Sequence, residues 1–313
     1  MTLGEFDLIA RYFHRPTPRA VLGVGDDCAL LAPTPGMALA VSTDLLVEGR
    51  HFVATHPPAR LGHKALAVNL SDLAACGATP RAYLLALALP CADAAFLAPF
   101  AQGLHALADV HGIELVGGDT TAGPLTIGIT VLGEVPAGQA LRRSGARAGD
   151  GIWVSGTPGL ARLGLEALRG ASLPPHDSAA ARLALEAPVP RVALGLALRG
   201  LASAAIDLSD GLLGDLGHVL SASGVGAEVD ADAIPLHPAL AAQPLALRRL
   251  CQLSGGDDYE LLFTAAPDRA AAVQALGAVA RIGRITATPG LVVRDGDGTE
   301  LDASAWRSFE HFA

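Results

Sequence analysis

The chain has 313 residues, 51% of them hydrophobic and 17% charged, a balance that excludes a disordered chain and leaves room for two domains. Its net charge is −9, and Lys64 is the only lysine among 22 Lys and Arg residues, which excludes a Gly-x-x-x-x-Gly-Lys phosphate loop and argues against a nucleic-acid partner. No apolar run approaches the roughly 18 residues of a membrane span, no basic-then-apolar leader opens the chain, and the four cysteines form no CxxC pair; a reduced, cytoplasmic protein with no membrane partner is expected.

In chain order, residues 38–43, 83–89, 113–116 and 125–135 read as strands, from β-branched and apolar runs bounded by Gly, Pro or Asp. Between them, residues 61–76 read as a helix with Leu66, Leu70 and Leu73 on one face and Gly77 just past its end, and residues 92–111 as a second. Residues 136–150, rich in Gly, Ala and Arg, read as a junction, dividing the chain into domains 1–137 and 138–313.

The second half restarts with a strand at 152–155 and a helix at 160–169. Pro188 and Pro190 should break the helical stretch 178–199. A strand at 204–208 runs into Ser209-Asp210-Gly211, a good start for a helix over 212–222. Strands at 260–264, 280–285 and 291–294 alternate with an Ala-rich helix at 268–276. The fold class is α/β or α+β in two halves, and periodicity does not choose between them. Gly25-Asp-Asp-Cys-Ala-Leu-Leu31 echoes Gly256-Asp-Asp-Tyr-Glu-Leu-Leu262, too short a match to argue a repeat.

The acids carry the functional signal. Asp44, Asp119 and Asp207 each follow an apolar run, Asp26 and Asp27 sit between Gly25 and another, and Asp72 lies inside the first long helix. Strand ends in small-residue loops are where ligands bind in open α/β sheets. Any one such Asp is ordinarily a turn residue or a helix cap. If the set converges, its mutual repulsion needs cations, and the chain has one lysine. Divalent metal is the natural answer. All-oxygen ligands, with Ser42 and Thr43 beside Asp44, suit several Mg²⁺ ions more than zinc. Acids gathered around Mg²⁺ point to a polyphosphate and to phosphoryl transfer from a nucleotide.

Gly23-Val-Gly-Asp-Asp-Cys-Ala-Leu30, Ser42-Thr-Asp-Leu-Leu-Val-Glu-Gly-Arg-His-Phe52, Lys64-Ala-Leu-Ala-Val-Asn-Leu-Ser-Asp72, Gly117-Gly-Asp-Thr-Thr121, Ile206-Asp-Leu-Ser-Asp-Gly211 and Gly255-Gly-Asp-Asp-Tyr-Glu260 together resemble the thiamine-monophosphate kinase family. The resemblance covers essentially the whole chain. It implies a two-domain aminoimidazole-ribonucleotide-synthetase-like fold, with an N-terminal α/β domain that binds ATP and metal and forms a homodimer through its sheet, and a C-terminal α+β domain. It implies Mg²⁺ on Asp27, Ser42, Thr43, Asp44, Asp72, Asp119, Asp207 and Asp210. ATP would face Gly118, Asp119, Arg143 and Ser209, and thiamine phosphate would meet His51, Asp257 and Phe309. Asp257 departs from the family pattern, where Glu commonly stands. Without the resemblance, Arg143 reads equally well as a solvated charge, His51 as structural, and Phe309 beside Trp306 as core.

The expected reaction is direct in-line transfer, since no nucleophile is evident and an ionised phosphate acceptor needs no general base. Among rivals, a selenophosphate synthetase would carry an early reactive Cys followed by Lys, and the hydrogenase-maturation relative would end in Cys; this chain has neither. Aminoimidazole ribonucleotide synthetase fits the motifs less well. A non-catalytic metal-binding dimer is the rival from another class, against which the retained acids argue.

Overall fold

The computed structural model describes residues 4–306 and 308. The chain divides into two compact units: Met1–Leu73 with Ala78–Gly138, and Ala74–Gly77 with the residues from Gln139 on.

The first unit holds α1 (Glu5–Tyr12), β1 (Met37–Val47), α2 (Pro58–Ala75), β2 (Thr79–Leu89), α3 (Ala94–His111), β3 (Glu114–Ala122) and β4 (Thr126–Pro136). The strands form one sheet in the order β1-β4-β2-β3, antiparallel except for the β2/β3 pair. Leu66, Leu70 and Leu73 of α2 are buried, as their spacing requires, and so are Leu97, Phe100 and Leu104 of α3. A Cβ on Gly103 would stand 1.8 Å from the Ala59 carbonyl oxygen, so α2 and α3 meet backbone to backbone where only glycine fits. Asp93 caps α3 by accepting the Ala95 N–H, and Gly112 ends it in the left-handed region.

Alternation divides the sheet. Ile127, Ile129, Val131, Tyr83 and Leu85 are buried, whereas Leu39, Val41, Leu45 and Leu84 stay exposed on the opposite side. A contiguous apolar face of this kind is rarely left open to water.

The second unit holds β5 (Gly151–Ser155), α4 (Leu160–Leu168), α5 (Pro175–Glu186), α6 (Val192–Ala197), β6 (Ala204–Asp207), α7 (Leu212–Ser223), β7 (Gly226–Asp230), α8 (Pro238–Ala241), α9 (Leu245–Ser254), β8 (Leu261–Ala265), α10 (Ala270–Gln274), β9 (Val279–Thr286), β10 (Gly290–Arg294) and β11 (Glu300–Leu301). Its sheet runs β11-β10-β7-β9-β5-β8-β6 and is antiparallel apart from the β7/β10 pair. One core joins Ile152, Val154, Ile206, Leu216, Leu262 and Ile282, and a smaller one joins Leu163, Ala181, Leu240 and Cys251. Pro188 and Pro190 lie in the break between α5 and α6, as expected of residues that cannot donate within a helix. Among the described residues, no helix is long and apolar enough to cross a membrane.

Candidate active site

In the first unit, β1 is an edge strand, and such strands carry N–H groups with no partner in the sheet. The Asp44 N–H donates to Asn69 Oδ1 at 3.1 Å, and the Ser42 hydroxyl donates to Asp72 Oδ2 at 2.5 Å. Asn69 and Asp72 are three residues apart in α2, hence on one helix face, and together they pin the polar half of β1. Between these contacts, the Thr43 hydroxyl donates to the Ile129 carbonyl at 3.0 Å and lies 3.0 Å from Thr130 Oγ1.

At the far edge of the same sheet, Gly118 has φ 149°, and a Cβ there would stand 1.9 Å from the Leu85 carbonyl oxygen. Glycine alone lets β3 approach β2 at that point. Asp119, next in line, pairs in register with Ala86 and is exposed. Asp27 is exposed too, its N–H bonded to Asp26 Oδ1 at 2.8 Å. Asp27, Thr43, Asp44, Gly118 and Asp119 line one cavity of about 1320 Å³, with Phe6 of α1 on its wall. That volume exceeds the roughly 300–1,000 Å³ usual for small-ligand pockets.

The strand-end expectation needs correction for two acids. Asp44 lies inside β1 and Asp119 inside β3. The reason is tertiary: β4 pairs with β1 from Met37↔Pro136 to Val47↔Thr126, and this ladder carries the strand through Ser42, Thr43 and Asp44 regardless of their polarity. Asp207 does end its strand, β6.

In the second unit, two short segments are laced together. The Leu208 N–H donates to the Glu260 carbonyl at 2.8 Å, the Tyr259 N–H to the Leu208 carbonyl at 2.8 Å, and the Asp257 N–H to the Ser209 carbonyl at 2.9 Å. Asp257 and Tyr259 hold positive φ, 64° and 50°, which a bulky Tyr adopts only under constraint. The constraints are visible on both flanks. Asp258 accepts the Gly159 N–H at 2.7 Å and the Ala161 N–H at 3.4 Å, where α4 begins. Glu260 is gripped by Arg191 through Nε at 2.6 Å and Nη2 at 2.5 Å, and by the Ser155 hydroxyl. Burial pushes the Asp258 carboxyl well above the ordinary range of an aspartate, although both N–H donors pull the other way.

Asp215, in the first turn of α7, turns back on the segment before it. Its Oδ2 accepts the N–H of Ser209 at 3.1 Å, of Asp210 at 3.2 Å and of Gly211 at 3.1 Å. Burial, then the Asp210 charge, push its carboxyl up to about 7 against the pull of those donors.

The remaining predicted residues are placed as follows. Nδ1 of His51 accepts the Val47 N–H at 3.0 Å, which puts the proton of a neutral ring on Nε2. Arg143 is exposed, and its carbonyl accepts the Ser223 hydroxyl at 3.3 Å. Phe309 lies outside the described residues. Sequence reasoning missed Asn69, Asp215 and Asp258. For Asn69 a signal was available, the three-residue spacing to Asp72 on a helix; for Asp215 it was an acid four residues after Ser209-Asp210-Gly211.

Among the described residues, no three Asp, Glu, His or Cys side chains close on a common point. The donor set of the first unit is nevertheless all oxygen, carboxylates with a hydroxyl among them, in a cavity large enough for phosphates. That fits magnesium, which is held by one or two carboxylates plus water and substrate phosphates.

Two family models match this chain: AIR synthase related protein, N-terminal domain, over residues 25–135, and AIR synthase related protein, C-terminal domain, over residues 147–296. Sheet, cavity and matches together define the class, an AIR synthase related protein of two α/β units. Within that class, the thiamine-monophosphate kinase of Salmonella typhimurium is 47% identical over 100% of this chain and 99% of its own length. The crystal structure of thiamine-monophosphate kinase from Stenotrophomonas maltophilia K279a superposes with a TM-score of 0.85 at 45% identity, covering 96% of this chain and 99% of that one. AaThiL complexed with AMPPCP and TMP gives a TM-score of 0.79 at 30% identity, over 90% of this chain and 89% of that one. The chain belongs to the thiamine-monophosphate kinase family.

Proposed function

We propose that the chain moves the γ-phosphoryl group of ATP onto thiamine phosphate, yielding ADP and thiamine diphosphate, as a step in thiamine diphosphate biosynthesis. The observation that carries this reading is the 47% identity to a thiamine-monophosphate kinase along the full length of both chains. The related AaThiL was captured with AMPPCP, an analogue of ATP, and with TMP. Thiols at Cys28, Cys76, Cys91 and Cys251 suit the reduced cytoplasm, where we place the reaction.

A terminal oxygen of thiamine phosphate attacks the γ-phosphorus, the bond to the β–γ bridging oxygen breaks, and its electron pair leaves with ADP. The acceptor is already largely ionised at neutral pH, so the residues need to align two anions and shield their charge, not remove a proton. Several Mg²⁺ ions, when bound, would neutralise that charge and orient the phosphates. Asp27, Ser42, Thr43, Asp44, Asp72, Asp119, Asp207 and Asp210 would hold them. Gly118, Asp119, Arg143 and Ser209 would bind ATP, Arg143 as a charged donor to phosphate oxygens. His51, Asp257 and Phe309 would bind thiamine phosphate. A homodimer joined through the open sheet face would cover Leu39, Val41 and Leu45, which are 52%, 61% and 56% exposed.

The test is direct transfer of label. With γ-labelled ATP, magnesium and thiamine phosphate, the label should appear in thiamine diphosphate. Enzyme with labelled ATP alone should retain none. A stable phosphoenzyme that passes its label on would overturn in-line transfer, and label reaching water or another acceptor only would overturn the assignment.

A further inference from the structure

We infer that Asp215 is a positioning residue for the proposed metal ligands Asp207 and Asp210, an inference that rests on the metal reading above. Three consecutive N–H groups, those of Ser209, Asp210 and Gly211, converge on the single oxygen Oδ2 of Asp215. These are the groups just before α7, where backbone donors have no partner within a helix. Gly211 occupies the N-cap position and has no side chain to satisfy them. Asp215, four residues on, supplies the missing acceptor, and its own N–H closes the turn by donating to the Gly211 carbonyl at 3.0 Å.

The clamp works against the lacing on the other side. Ser209 gives its N–H to Asp215 and its carbonyl to the Asp257 N–H, and Leu208 is bonded through both N–H and carbonyl to residues 259 and 260. The segment carrying Asp207, Ser209 and Asp210 is therefore held from both sides through its backbone. A buried acidic side chain whose one oxygen accepts three amides holds a short loop far more rigidly than water would. One consequence is specific: the N–H groups of residues 209–211 are already engaged, so phosphate and metal meet this segment through side chains and not through an amide nest.

Removing the clamp should weaken metal binding without touching a ligand, as loss of an outer-shell partner does, by about 10–100-fold. Asp215→Ala, Asp215→Asn, Asp210→Asn and Asp93→Ala are compared for magnesium half-saturation in turnover and for Mg²⁺ binding by calorimetry in the presence of AMPPCP. Amide hydrogen exchange at residues 209–211 is followed in the metal-free protein. Asp93→Ala removes the cap of α3 and controls for a plain loss of stability. We expect Asp215→Ala to raise the magnesium half-saturation and Kd about 10–100-fold, to speed exchange of the three amides, and to leave the Michaelis constant for thiamine phosphate within about twofold. Asp215→Asn keeps an oxygen in place to accept the amides, so its shift should be smaller, about threefold. Asp93→Ala should lower the melting temperature with no change in magnesium dependence. Unchanged magnesium dependence in both Asp215 variants, alongside a raised one in Asp210→Asn, overturns the positioning role alone. Unchanged dependence in Asp210→Asn overturns the metal reading and this inference with it. Should Asp215→Ala not fold, an Asp215→Asn protein with wild-type magnesium dependence and wild-type amide exchange overturns the role.

Discussion

The two units hold their acids by different physical means. In the first, Asp44 and Asp119 sit inside β1 and β3, where ladders of backbone hydrogen bonds set their positions. In the second, Asp210 and Asp257 sit in short segments whose shape depends on a few side chains: Asp215, Asp258 and Glu260. A ladder spreads its hold over many bonds, so one side chain on it can change with little effect on the backbone. A loop clamped by three acidic side chains concentrates that hold, so function and local stability are coupled there.

This comparison is sharpest at Asp72, where the largest effect is expected. Asp72→Asn keeps an oxygen to accept the Ser42 hydroxyl but removes the charge. Turnover should fall by about two orders of magnitude or more, the scale of losing electrostatic stabilisation at a reacting phosphate, with the melting temperature near that of the parent. Near-parental turnover at saturating magnesium would show that the α2 side of β1 holds no metal ligand.

A second substitution asks whether the sheet of the first unit tolerates change on its open face as the ladder argument requires. Val41 is 61% exposed there, and Val41→Asp adds a charge without disturbing a buried contact. Light scattering should give twice the 31.7 kDa chain mass for the parent and the single mass for the variant, with an unchanged circular dichroism spectrum. A parent that is already monomeric would remove the sheet face as an interface, and an unfolded variant would refute the ladder argument.

The smallest effect is expected at Asp257, and it separates the loop's two burdens. Its φ of 64° is comfortable for glycine, so Asp257→Gly should keep or slightly raise the melting temperature. The Michaelis constant for thiamine phosphate should rise about tenfold if the carboxylate meets the substrate, a change equivalent to about 1.4 kcal/mol, while that for ATP stays near parental. A lower melting temperature with both constants unchanged would make Asp257 a loop residue only.

Much of this was legible in one dimension because it is local. The Leu66, Leu70 and Leu73 spacing marks a helix by its own period, Pro188 and Pro190 cannot continue one, and Ser209-Asp210-Gly211 announces the start of α7. The acid-bearing motifs were legible for the same reason: each is a short contiguous string, and their order along the chain carries the family resemblance.

Only the tertiary structure decided what depends on a distant partner. Asp44 and Asp119 belong to strands because β4 and β2 pair with those stretches across the sheet, against the local preference of Asp for turns. Gly103 has no visible reason in sequence until Ala59 of α2 is found against it. Asp258 looks like an ordinary surface acid until the start of α4, about a hundred residues earlier, is seen to bond it. Periodicity reports how a residue relates to its neighbours in the chain; the groups that hold these loops in place are neighbours only in space, brought together by burial and by the need of every enclosed N–H for an acceptor.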